Sequence, residues 1–97
     1  MNLTTFRTSL SSPTPPLEAN VYLQALWHEA KGHWDKAHEL IQDLPDQNAA
    51  WIHAYLHRKE GDTWNADYWY RRANKTRPQT SLGQEWENIT LALLQQV

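Results

Sequence analysis

The chain has 97 residues, no cysteine and a net charge of -2, with six tryptophans and four tyrosines among its hydrophobic residues. That length fits one domain with a modest core, and the lack of cysteine excludes disulfides and zinc–cysteine sites. The slightly acidic charge gives no general attraction to nucleic acids or anionic membranes. No apolar run approaches the roughly 20 residues of a membrane-spanning helix.

The N-terminal segment is polar, and residues 1–13 are predicted to form a flexible tail. It lacks the apolar run of a secretory signal, so we expect a cytoplasmic protein. A single α-helical domain is predicted over residues 14–97. Its first helix is expected to begin near Pro15, because proline is tolerated in the first turn of a helix. The helix should end near Lys31, where Gly32 breaks it.

Apolar residues recurring at spacings of three and four predict the next helices. The second helix is expected over residues 33–43 and the third over residues 48–60, with Asp46 as the N-cap of the third. Gly61 then turns the chain into a fourth helix over residues 62–73.

The last predicted helix follows Ser81, which has capping-box spacing to Gln84. Its apolar residues form one stripe at i, i+4, i+7 and i+11: Leu82, Trp86, Ile89 and Leu93. A helix that is apolar on one side suits the terminal cap of a helical stack. The predicted fold is therefore all-α, with about five antiparallel helices arranged as two hairpins and a C-terminal capping helix.

Two segments of the chain are similar to each other. Residues 25–41 and 54–70 align at an offset of 29 positions. The identical pairs are Ala25/Ala54, His28/His57, Gly32/Gly61 and Ala37/Ala66. Small residues fall where two helices would touch and glycine falls at the turn, which is the signature of a helical repeat.

The second copy and the residues after it resemble the tetratricopeptide repeat family and, more loosely, its Sel1-like relatives. The resemblance rests on a turn residue, an alanine–aromatic pair, a further alanine and a closing proline: Gly61, Ala66, Tyr70, Ala73 and Pro78. It covers roughly residues 19–78, although the offset is shorter than the family's period of about 34 residues. The resemblance implies that the inner face of the first helix in each hairpin binds a peptide or protein segment.

The candidate partner-binding residues lie on one stripe of the third helix and at the equivalent positions of the first: Trp51, Tyr55, Arg58, Tyr22, Leu26 and Glu29. An acidic or aromatic-bearing peptide is the expected partner, with Arg58 pairing with a carboxylate. The alternative is that the aromatic residues are core or a dimer interface. A symmetric homodimer is a further expectation, because the aromatic residues exceed what two hairpins can cover.

His53 and His57 lie four residues apart on the third helix, so their imidazoles could chelate one metal ion. Such a pair without a third ligand is a weak signal, and we assign no metal and no cofactor. No Ser/His/Asp grouping, phosphate loop or paired-carboxylate motif favours catalysis. The predicted function is protein interaction or scaffolding. The alternative is a small metal-dependent or acid–base enzyme that uses His28, His53 and His57.

The fourth helix combines aromatic and basic residues: Trp64, Tyr68, Trp69, Tyr70, Arg71 and Arg72. Such residues could stack bases and hold phosphates. A helix of this kind also needs aromatic residues for its core, and cations at a helix C-terminus are ordinary. Because the chain is acidic overall, nucleic acid is not an expected partner.

Overall fold

The computed structural model describes residues 1–96, and this range contains six α-helices and no β-strand. The helices are α1 (Leu3–Thr8), α2 (Val21–Ala30), α3 (Trp34–Ile41), α4 (Gln47–Lys59), α5 (Thr63–Arg72) and α6 (Leu82–Leu94). Val97, the last residue of the predicted domain, lies outside the described residues. The all-α prediction is confirmed, and the structure has one helix more than the predicted five. No helix within residues 1–96 has both the length and the apolar character required to cross a membrane.

Helices α2 and α3 form one hairpin and α4 and α5 form a second, and the two turns have the same backbone geometry. Gly32 and Gly61 adopt left-handed conformations, with φ of 87° and 86°, which residues with a Cβ rarely adopt. In each turn the glycine amide donates to the carbonyl three residues earlier, and the next amide donates to the carbonyl five residues earlier. This is the Schellman pattern, and it appears in both copies of the 29-residue repeat.

The alanines shared by the two copies lie where the helices of each hairpin meet. Ala25 and Ala37 in the first hairpin, and Ala54 and Ala66 in the second, have no exposed surface. Because an alanine side chain is a single methyl group, two helices can approach closely at these positions. The repeat therefore marks the contacts that hold each hairpin together.

Helix α6 packs on α2 and α4, and α1 packs against α6. The predicted stripe of α6 faces this interior, since Trp86, Ile89 and Leu93 are buried and Leu82 packs against the same core. The Ser81 hydroxyl accepts from the backbone amide three residues later at 3.1 Å, as predicted. Helix α6 therefore lies across the first helices of both hairpins.

The N-terminal segment differs from the predicted flexible tail. Helix α1 occupies part of it, and a 3-10 helix, Ser9–Ser11, follows. The Phe6 side chain is fully buried, and its ring stacks on Trp86 with centroids 6.0 Å apart. The Lys31 ammonium donates to the Leu10 carbonyl at 2.6 Å. These contacts with α2 and α6 fix a segment whose own composition is polar.

The start of the first hairpin was also predicted wrongly. Helix α2 begins at Val21 and not near Pro15, because the Asn20 side chain accepts from the Leu23 amide at 3.0 Å and so forms the N-cap. The Asp46 side chain caps α4 in the same way, as predicted.

Candidate functional site

The partner-binding face predicted on α2 and α4 is largely covered by α6. Leu26, Glu29 and Tyr55 are at most 2% exposed, and the Trp86 indole N–H donates to the Leu26 carbonyl at 3.0 Å. A partner at the surface cannot touch these three side chains, so they do not form an exposed binding face. The other predicted residues are partly exposed: Tyr22, Trp51 and Arg58.

Arg58 binds a carboxylate of its own chain. Its Nη1 donates to Glu85 Oε1 at 2.7 Å, and its Nη2 donates to the Thr80 carbonyl. The Tyr70 hydroxyl donates to the other oxygen of Glu85 at 2.5 Å. Burial, together with this hydrogen bond, raises the pKa of Tyr70, so the phenol stays protonated. The carboxylate that was expected from a partner is supplied by α6.

A second buried carboxylate, Glu29, has similar surroundings on α2. The Lys59 ammonium of α4 donates to Glu29 Oε1, and the Tyr55 hydroxyl lies 3.4 Å from Oε2. Burial, followed by the charge of Glu29, raises the pKa of Tyr55. Glu85 therefore ties α6 to α4 through Arg58 and to α5 through Tyr70. Glu29 ties α2 to α4 through Lys59 and Tyr55, so both carboxylates have a structural role.

Three histidines converge between α3 and α4. One ring nitrogen from each of His38, His53 and His57 lies within 4.8 Å of the other two, and the Nε2 atoms of His38 and His53 are 3.0 Å apart. The Nδ1 atom of His57 lies 2.7 Å from a carboxylate oxygen of Glu60. Sequence spacing alone found His53 and His57 but missed His38, because the third histidine comes from another helix and no motif spacing connects it.

His28 lies outside this cluster, although the enzyme alternative grouped it with His53 and His57. It is in neither of the groups within residues 1–96 that could hold a metal ion. Its ring lies against Trp27 and His33, with centroids 5.0 and 6.0 Å away. Burial lowers the pKa of His28. The structure therefore does not bring together the three histidines that the alternative required.

Two tryptophans hold the rings of the cluster in place. His53 stacks on Trp69 of α5, with centroids 3.9 Å apart and planes 15° from parallel. His38 stacks on Trp34 at 5.0 Å and 11°, and the Trp34 indole N–H donates to the Leu56 carbonyl at 2.8 Å. These contacts leave the ring nitrogens of His38 and His53 facing each other.

The environment of His53 favours its neutral form. Burial, followed by the nearby His38 and His57, lowers the pKa of His53 to about 3. At neutral pH its imidazole therefore has one N–H donor and one nitrogen lone pair that can accept or bind.

We expect the metal-free protein to lose stability as the pH falls below the ordinary histidine pKa of about 6.5. The unfolded chain takes up a proton at that pH, whereas His53 in the folded chain does so only near its own pKa of about 3. The free energy of unfolding should therefore fall by up to about 1.4 kcal/mol per pH unit in this window. Urea unfolding at several pH values, with a chelator present, measures this slope. His53→Gln should reduce the slope and exposed His33→Gln should retain it; equal slopes in all three proteins would contradict this.

The outer face of α5 carries exposed aromatic side chains beside a cation. Trp64 is 75% exposed and Tyr68 is 37% exposed, and their rings lie 7° from parallel with centroids 6.4 Å apart. The Arg72 guanidinium lies over Tyr68 and Trp69, 5.8 and 5.1 Å from the ring centroids. Among residues 1–96, no carboxylate forms a salt bridge with Arg72. We call the surface formed by Trp64, Tyr68, Trp69 and Arg72 the α5 aromatic face.

Two shallow grooves flank the loop that follows α5, and Lys75 lines both of them. The first has a volume of about 360 Å³ and is bounded by Trp51 and Pro78. The Lys75 ammonium lies 4.1 Å from the centroid of the Trp51 ring. The second has a volume of about 380 Å³ and includes Arg71 and Arg77. Trp51, one of the predicted partner-binding residues, therefore lines an open groove beside Lys75, which forms no salt bridge within residues 1–96.

Comparisons of the chain with protein-family models, curated proteins and solved structures gave no match. The resemblance to the tetratricopeptide repeat family therefore stays a prediction from the residues that carry it.

Proposed function

We propose that the chain is a small interaction module of the tetratricopeptide-repeat type that binds an acidic segment of a protein partner on the α5 aromatic face. The exposure of Trp64 carries this proposal. A tryptophan that is 75% exposed adds little to the core, and Trp, Tyr and Arg are enriched among the few residues that dominate binding energy in protein interfaces. The two hairpins with matching glycine turns support the repeat type.

The charge of the surface indicates the chemistry of the partner. Arg71 and Arg72 end α5, and Lys75 follows them in the loop. None of the three forms a salt bridge with a carboxylate in the described part of the chain. An arginine fork binds a carboxylate through two parallel hydrogen bonds. The bound segment should therefore combine Asp or Glu residues with an aromatic or large apolar residue that packs on Trp64.

We expect peptides selected from a displayed random library on the wild-type protein to be rich in Asp and Glu around an apolar residue. Trp64→Ala should weaken a selected peptide by about 2 kcal/mol or more, because a central tryptophan dominates such interfaces. Arg72→Ala should weaken it as well and reduce its dependence on salt. Fluorescence anisotropy of labelled peptides measures both effects. The matched control is Leu91→Ala, which removes an exposed apolar side chain on α6 and should change nothing.

The same experiments test two other partners for the α5 aromatic face, a second copy of the chain and a single-stranded nucleic acid. If sedimentation shows a dimer that Trp64→Ala dissociates, the face is a homodimer interface, and the proposed peptide site fails. If single-stranded oligonucleotides bind and displace the peptides, the surface is a base-stacking platform. Selected peptides that bind Trp64→Ala and wild-type protein equally would also overturn the proposal.

A further inference from the structure

We propose that His38, His53 and His57 form a binding site for one divalent cation of the zinc type, next to the α5 aromatic face, whose Trp69 stacks on His53. In a tetrahedral zinc site the nitrogen ligands lie about 2.0–2.1 Å from the metal, which places them about 3.3 Å from one another. The Nε2 atoms of His38 and His53 are already 3.0 Å apart. One ring nitrogen of each of the three lies within 4.8 Å of the other two, so His57 must move closer to complete the set.

The helices that supply these ligands can accommodate that movement. His53 and His57 are one helical turn apart on α4, and the spacing of four residues places both rings on one face. His57 belongs to the last turn of α4 and is partly exposed, so its side chain is less tightly enclosed than that of the buried His53. His38 and His53 are held by stacking on Trp34 and Trp69. Two ligands are thus preorganised, and the third is adjustable.

Glu60 adds a second contact that points to a metal ligand. Its carboxylate lies 2.7 Å from Nδ1 of His57, so Nδ1 holds the proton and the lone pair is on Nε2. A histidine that binds a metal commonly donates its other N–H to a carboxylate, which fixes the tautomer and raises the basicity of the ligand.

The donor set determines which ions the site can hold. Three imidazole nitrogens suit zinc, cobalt, nickel and copper, whereas magnesium and calcium require oxygen ligands. His38 and His57 are partly exposed, so water can reach a bound ion and fill the fourth position. Three histidines and one water form an open site in place of the closed four-ligand arrangement of structural zinc sites.

Titration of the chelator-treated full chain with metal ions distinguishes a metal-binding site from a histidine cluster that only packs. With Zn²⁺, we expect calorimetry to show saturable binding of one ion per chain and a raised melting temperature. With Co²⁺, we expect the visible absorption of a four-coordinate nitrogen and oxygen site. A cluster that only packs would show neither signal.

Variants of the cluster locate the site. His38→Ala and His57→Ala should each weaken zinc binding by more than about tenfold, and Glu60→Gln should weaken it by about 10–100-fold. The matched controls are His28→Ala and His33→Ala, which remove histidines outside the cluster and should bind zinc as the wild type does. Circular dichroism confirms that each variant is folded.

Three results would overturn the site. The first is no saturable zinc binding by the wild-type chain. The second is equal zinc affinity in wild type, His38→Ala and His57→Ala. The third is one ion bound by two chains in sedimentation, which would place the metal between copies of the protein.

Discussion

Removal of α6 is expected to unfold the protein. A chain that ends at Thr80 lacks Trp86, Ile89 and Leu93, whose side chains are 7%, 0% and 1% exposed. Burying each large apolar side chain is worth about 1.5–3 kcal/mol, so the three together contribute roughly 5–9 kcal/mol. The whole stability of a domain of this size is about 5–15 kcal/mol. The truncation also uncovers the buried surfaces of α2 and α4, so the product should be unfolded or aggregated.

Thermal melting followed by circular dichroism measures this effect. The single change Trp86→Ala should cost about 3–5 kcal/mol, because it leaves a cavity between α6 and the core. The matched control is Leu91→Ser on the exposed side of the same helix, which should change stability by no more than about 0.5 kcal/mol. A soluble truncated chain with an unchanged melting temperature would show that α6 has no structural role.

The burial of α6 could be predicted from sequence, but its position could not. The spacing of Trp86, Ile89 and Leu93 requires a helix with one buried face, and the structure confirms that face. Periodicity does not state which helices cover it. The stripe predicted a terminal cap of the stack, and the structure places α6 across α2 and α4. That choice depends on long-range contacts such as the bond from Trp86 to the Leu26 carbonyl.

Local signals predicted the hairpin turns well. A glycine with positive φ is a requirement of the backbone itself, so Gly32 and Gly61 could be assigned without knowledge of the rest of the fold. Helix α1 had no comparable signal, because Phe6 is buried by residues of α6 that lie 80 positions further along the chain. The prolines before α2 predicted that the helix begins near Pro15. The helix begins at Val21 instead, because the Asn20 side chain forms its N-cap.

The candidate sites show the same division between local and long-range information. His53 and His57 share a helix and were found by spacing, whereas His38 joins them only when α3 packs on α4. The resemblance implied a binding face that includes Tyr55, but this face is covered by the chain itself. The aromatic residues of the fourth helix, Trp64 among them, could equally have been core or a stacking surface, because exposure depends on which side of α5 the core contacts.

The covered face explains why Arg58 matters for stability. Its guanidinium and the Tyr70 hydroxyl are the hydrogen-bond donors to the Glu85 carboxylate. The Glu85 side chain is 3% exposed and that of Arg58 is 18% exposed, so water does little to replace a lost partner. Removing one member of a buried ion pair leaves an uncompensated charge in the interior, which is more costly than the pair itself is favourable.

Arg58→Ala is therefore expected to destabilise the protein by about 3–5 kcal/mol, measured by urea unfolding at neutral pH. The double variant Arg58→Ala/Glu85→Gln should recover part of this loss, because the amide oxygen still accepts from Tyr70 and no charge is left buried. The control Asp67→Asn breaks the exposed pair with Arg77 and should have a much smaller effect, since surface ion pairs contribute little. If Arg58→Ala and Asp67→Asn prove equally mild, Glu85 must reach solvent or another cation once Arg58 is gone, and α6 is not held by this pair.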